Sequence, residues 1–211
     1  MMVMRMKDNT KVKKRNLPNT KYFSTNNLLD YGFSRYDIDK LLSSNKIEKV
    51  SHGLYIRTNT IEDFFSILQA KNKDTIFSNE SALYLHNMTT APANPYCITV
   101  EFSKKINKNA KYIREAMEEI KIYYVNKDVL YLGADEIEWN GNTLFVYDKE
   151  RTICDILKNR NRIDPQVYFE GLQEYFVHNS DQIKFDKIAN YAKQLGITSK
   201  IMDILNLYRS A

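Results

Sequence analysis

Residues Phe23 to Arg57 read FSTNNLLDYGFSRYDIDKLLSSNKIEKVSHGLYIR, and this stretch decides the fold of the amino-terminal part of the chain. Ser24 stands where a helix N-cap belongs, ahead of a segment whose apolar face includes Leu28 and Leu29. Gly32 supplies a sharp turn, because a residue without a Cβ takes positive φ at little cost. Ser34 caps a second helix, and Asp37 three residues on completes a Ser-x-x-Asp capping arrangement. Ile38, Leu41 and Leu42 give that helix one apolar face, with Tyr36, Lys40 and Ser43 opposite and Arg35 at its amino-terminal flank. Ile47-Glu48-Lys49-Val50 and Leu54-Tyr55-Ile56-Arg57 are strand-like and joined through Ser51-His52-Gly53. Two helices about a tight turn, followed by a hairpin, predict a winged helix-turn-helix. The second helix of such a unit fits the DNA major groove and offers its first residues to the base edges, so DNA binding is the expectation.

Charge distribution points the same way. Residues 1 to 57 hold 12 Lys and Arg against 5 Asp and Glu, whereas the remainder holds 19 against 21. A polyanion-binding segment is thereby concentrated at one end, and its binding should depend steeply on salt. Lys11, Lys13, Lys14 and Arg15 form the densest part of it, just before the breaker Pro18. A solvated basic tail is the alternative reading of residues 1 to 21.

At 211 residues the chain can bury one good core or two small ones. Hydrophobic content of 43% and 12% aromatics exclude a wholly disordered protein. Cys97 and Cys154 are isolated, which argues against a disulfide framework or a zinc site and fits a reducing cytosol. No apolar run approaches the ~18 residues of a membrane span. Met1 to Met6 is too short, and interrupted by Arg5, to be a signal peptide, so a soluble cytoplasmic protein is expected.

Two domains are expected, residues 1–70 as the winged unit with its basic arm and 71–211 as an α+β domain with carboxy-terminal helices. Ile61 to Lys71 looks helical, as does Ser78 to His86 before Pro92 and Pro95. Tyr96 to Phe102, Lys121 to Val125, Val129 to Leu132 and Thr143 to Tyr147 read as strands, with Asn140-Gly141 as a hairpin turn. Asp148 or Thr152 opens a helix, and Asp164-Pro165 another. Two final helices cover about Phe185 to Leu195, stopped by Gly196, and Lys200 to Arg209.

Several motifs resemble the AbiEi-type antitoxins of type IV toxin–antitoxin and abortive-infection systems. Tyr22-Phe23-Ser24-Thr25, Gly32-Phe33-Ser34-Arg35 and Gly53-Leu54-Tyr55 look like that family's winged domain. Ser78 to His86 is similar to its S-x-E-S-A-L-x-L-H segment, and Asp148 to Asp155 to its E-R-T-x-x-D segment. The resemblance implies a repressor that binds inverted repeats in its own promoter, as a dimer or cooperatively, and a second domain that counteracts a nucleotidyltransferase-fold toxin, possibly without a stable complex. Many relatives carry Arg or Lys before the wing glycine, where this chain has His52, so the wing should grip the minor groove or a phosphate less firmly.

Arg35, Tyr36 and Lys40 are the expected major-groove or phosphate contacts, aided by Lys49 and His52 of the hairpin and by the basic arm. Ser34, Thr25 and Asn26 would meet the backbone at helix amino-termini, with simple capping as the competing role. Asp39 is expected to pair with Arg35 at i, i+4. In the second domain Glu80, His86, Glu150, Arg151 and Asp155 are candidates for antitoxin function. Burial explains His86 more simply, and an Arg151–Asp155 pair explains those two. The rival function is a metal-dependent nuclease built on Glu119-Ile120-Lys121 with Glu101 as a second acid. Glycine-rich phosphate loops and zinc patterns are absent, so the expectation is a non-enzyme without metal or cofactor. The other alternative is a winged-helix regulator whose second domain senses a ligand or partner.

Overall fold

The computed structural model describes residues 16–107, 110–116, 119–178 and 183–209. The fold is α+β and divides into two compact units, Met1–Thr60 and Ile61–Ala211. Lys11, Lys13, Lys14 and Arg15 lie outside the described residues.

The first unit runs β1 (Tyr22–Ser24), α1 (Thr25–Asp30), α2 (Arg35–Ser43), β2 (Ile47–Ser51) and β3 (Leu54–Arg57). Its strands form an antiparallel sheet in the order β1-β3-β2. Both expected caps form. Ser24 Oγ accepts from Asn27 N at 3.0 Å, and Asn27 Oδ1 accepts from Ser24 N at 3.2 Å. Ser34 and Asp37 exchange the same pair of bonds at 3.1 and 2.8 Å. Phe23, Leu28, Phe33, Ile38 and Ile47 make the core, with Leu41 and Leu42 packed partly against it. Leu29 departs from the expectation: α1 is short enough to present only Leu28 inward, and Leu29 is 40% exposed. Strand β1 was not readable, being only 3 residues long. Arg57 ties the chain ahead of it to the sheet, donating from Nη2 to the Pro18 carbonyl at 2.6 Å and from Nε to that of Thr20 at 3.3 Å.

The second unit runs α3 (Phe64–Lys71), β4 (Ile76–Phe77), α4 (Asn79–Leu85), β5 (Tyr96–Glu101), α5 (Lys111–Ala116), β6 (Ile120–Val125), α6 (Lys127–Leu130), β7 (Ala134–Trp139), β8 (Asn142–Tyr147), α7 (Lys149–Lys158), α8 (Pro165–Gln173), α9 (Phe185–Gln194) and α10 (Thr198–Arg209). A 3-10 turn at Arg160–Arg162 follows α7, and a π-helical turn at Glu174–His178 extends α8. The sheet order is β6-β5-β4-β8-β7, with β5–β6 and β4–β8 parallel and the other pairs antiparallel. Phe64, Phe65, Leu68, Ala82 and Leu85 of α3 and α4 pack on Phe77, Ile98, Leu144 and Val146 of the sheet. Leu83 joins α7, α8, α9 and α10 in a helical core around Ile153, Ile156, Leu172, Ile188 and Ile201.

Two expectations need correction. The boundary falls after Thr60, not at residue 70, because α3 buries Phe64, Phe65 and Leu68 in the second unit's core. Ile61, expected on that helix, precedes it and is 91% exposed. Val129 to Leu132 is not a strand: α6 forms instead, Leu130 alone of this run is buried, and the Val129 and Leu132 carbonyls accept from Arg151. The Asn140-Gly141 turn is as expected, with φ of 50° and 76° at its two positions.

Candidate nucleic-acid interface

Helix α2 is fixed from beneath by Ile38, 3% exposed, and locked at its start by the Ser34–Asp37 capping box. That leaves its other side to solvent. Tyr36, Lys40 and Ser43 follow one another at i, i+4 and i+7 along this face, Tyr36 being 75% exposed, and exposed Arg35 flanks them at the first helical position. The expected Arg35–Asp39 ion pair does not form, and among the described residues neither Arg35 nor Lys40 has a side-chain partner. The face therefore carries two unpaired cations around an aromatic hydroxyl, donors suited to phosphate oxygens and purine edges, with exposed Asp39 between them on the helix.

Other expected contacts are already employed. Ser34 spends its hydroxyl on the cap, and the Asp37 carboxylate sits where a phosphate would approach. Thr25 donates its amide to the Gly53 carbonyl at 3.0 Å, which leaves Asn26 as the exposed residue at that helix start. The same bond holds the hairpin tip against α1. Its turn is only His52-Gly53, since Ser51 already pairs with Leu54, and a bulge follows Lys49. His52 and Lys49 are both exposed. Arg57 serves the fold, with its guanidinium on backbone carbonyls and 5.3 Å above the Phe23 ring.

In the second unit the candidate residues are structural. Glu80 accepts from Lys121 Nζ at 3.1 Å and from Cys97 Sγ at 3.1 Å. His86 ends α4 with Nε2 2.7 Å from the Tyr147 carbonyl, which requires that nitrogen to carry the proton, and burial holds its pKa below the usual value. Arg151, 1% exposed, donates to Asp155 at 3.1 Å and to the Leu132 carbonyl at 2.7 Å, and lies 4.1 Å above the Tyr147 ring. Burial works against its charged form, but Asp155 more than offsets this and its pKa stands above the ordinary value. Glu150, 4% exposed, accepts from Tyr175 and from Lys187, at 3.0 and 2.9 Å. Burial alone would raise its pKa; the Lys187 and Tyr175 bonds reverse that and bring it below the usual value. Lys187 also reaches Asp148 at 3.0 Å, so one ammonium joins α9 to the start of α7.

The nuclease constellation does not assemble. In the β5–β6 register Lys121 pairs with Cys97 while Glu101 pairs with Val125, four residues further along, or roughly 13 Å at strand spacing. No metal-holding group of His, Cys, Asp and Glu occurs among the described residues. Cys97 and Cys154 are buried free thiols, and burial pushes the Cys154 pKa up to about 12. No helix among the described residues is long and apolar enough to cross a membrane. A different group was missed by the sequence reading: Lys158, Asn159, Asn161 and Arg162 come together with Asn79, Tyr123 and Lys200 at one cleft. The Lys158-Asn159-Arg160-Asn161-Arg162 run, from the last residue of α7 through the turn that follows, was its visible signal.

No family model matches the chain, and no curated protein matches it. Among solved structures, the chain is similar to the crystal structure of RV2827C protein from Mycobacterium tuberculosis, with a TM-score of 0.55 and 10% identity. The match covers 82% of this chain and 66% of that one, and at this identity it speaks to the fold alone.

Proposed function

We propose that the chain is a sequence-specific DNA-binding regulator that represses its own operon, with the first unit acting as a winged helix. The observation that carries this is the outer face of α2, where Arg35, Tyr36 and Lys40 stand exposed while Ile38 anchors the opposite side. A β1-α1-α2-β2-β3 order with a hairpin joined to β1 supports it, as does the excess of cations in residues 1 to 57. One such unit reads few base pairs, so two copies on an inverted repeat supply the affinity. The short His52-Gly53 turn makes the hairpin a minor contributor beside α2.

An antitoxin role against a nucleotidyltransferase-fold toxin is the biological setting we assign, on the strength of the Ser78–His86 and Asp148–Asp155 motifs. The burial of Glu150, Arg151 and Asp155 gives those residues the task of shaping the second unit, so any toxin-facing surface must be built from others. The test is a mobility-shift titration on the upstream DNA of the operon, against scrambled competitor, at two salt concentrations. A specific shift that weakens with salt is expected. Equal retention of scrambled DNA would overturn sequence-specific repression.

A further inference from the structure

We propose that the second unit binds a phosphorylated small molecule of nucleotide size in the cleft bounded by β5, β6, the turn after α7 and the start of α10. This stands independently of whether the first unit binds DNA. The cleft has a volume of about 530 Å³, within the range of small-ligand sites.

Its charge is the first argument. Lys158 at the end of α7, Arg162 on the following turn and Lys200 on α10 all line it, and among the described residues none has an ion-pair partner. The one carboxylate among the described residues of the wall, Asp155, is already bound to Arg151 at 3.1 Å. Three cations lining one concavity repel one another, and an anion held among them relieves that repulsion. An oligoanionic phosphoryl group is the ligand chemistry that answers three cations, one of them a planar arginine fork.

Hydrogen bonding is the second. Tyr123 lines the wall, and its hydroxyl is buried with no hydrogen-bond partner among the described residues, an arrangement a ligand acceptor would complete. Asn79, 1% exposed, holds a left-handed φ of 49° and receives the Asn159 amide on its Oδ1 at 2.9 Å. That bond orients the Asn159 side chain, whose Oδ1 is an acceptor in the lining that suits a ribose hydroxyl or a base edge. The lining is thus divided between groups for phosphate and groups for the body it is attached to. The cations line a cleft of small-ligand volume, which favours a small molecule over duplex DNA.

Isothermal titration of the full chain with ATP, AMP, pyrophosphate and inorganic phosphate at low ionic strength tests this. A single-site isotherm is expected for ATP or AMP, weakened about tenfold or more by Arg162→Ala and by Lys200→Ala, and severalfold by Tyr123→Phe. Both cations are exposed, so these variants keep the fold, which circular dichroism and thermal melting would verify. Absence of binding by every probe up to millimolar concentration would overturn the proposal. So would binding that all three variants leave unchanged, or pyrophosphate binding as tightly as either nucleotide.

Discussion

Arg151 shows how a charged residue can become the centre of a core. Its guanidinium reaches Asp155 and the carbonyls of Val129 and Leu132, and stacks on Tyr147, joining α7 to α6 and β8. Replacement by Met would leave a buried carboxylate and two carbonyls unanswered, a loss of about 3–5 kcal/mol by analogy with other broken buried pairs. Urea denaturation should show it as a lowered midpoint; a change under about 1 kcal/mol would contradict the role given to this network. His86 carries a pH dependence. Burial depresses its folded pKa, so below the unfolded value of about 6.5 the unfolded chain takes up the proton first and stability declines as pH falls. His86→Gln, which keeps a donor for the Tyr147 carbonyl, should flatten the pH 7.5 to 5.5 part of that profile. At the outer face of α2, Arg35→Ala with Lys40→Ala should weaken operator binding by about tenfold or more while the melting curve stays in place. Full operator affinity in that double variant would remove α2 from the interface.

At the scale of elements, the connections are as constrained as the cores. Gly133, between α6 and β7, sits at φ 74°, and a Cβ there would lie 2.7 Å from Arg151 Cβ. Gly133→Ala therefore combines an unfavourable backbone with a clash against a packed side chain, and should cost more than about 1 kcal/mol in chemical denaturation. The contrast between helices and strands explains what the sequence disclosed. Helices opened by Ser24, Ser34, Asp148 and Asp164 were readable because a cap is a local event. Strands β1 and β4, 3 and 2 residues long, have no room for an alternating pattern and exist through their neighbours. Val129 to Leu132 looked like a strand because composition alone does not reveal that Arg151 claims its carbonyls. The α2 face was legible for the same reason as the caps, whereas the cleft draws Asn79, Tyr123, Arg162 and Lys200 from separate elements, and the basic run at residues 158–162 announces only one side of it.

For the whole molecule, the chain divides after Thr60 into two compact units, and its charge is divided unevenly as well. Residues 1–15 carry 6 Lys and Arg against one Asp, while residues 16–60 carry 6 against 4. Deleting residues 1–15 should thus weaken DNA binding and shrink its logarithmic salt slope by as much as roughly 5, leaving the order of preference among sequences unchanged. A lost preference would place base reading in those residues. The sheet of the second unit has a further consequence through β4. Two residues, Ile76 and Phe77, link the β5–β6 pair to the β8–β7 pair, and Phe77 meets Val146 in parallel. That sheet stays in halves until a segment some seventy residues downstream arrives, whereas the strand pairings among the described residues of the first unit close by Arg57. On a ribosome the chain emerges from its amino terminus, and units generally fold in that order. Each nascent molecule accordingly passes through an interval in which the unit bearing Arg35 and Lys40 is complete while its companion still awaits translation of β8.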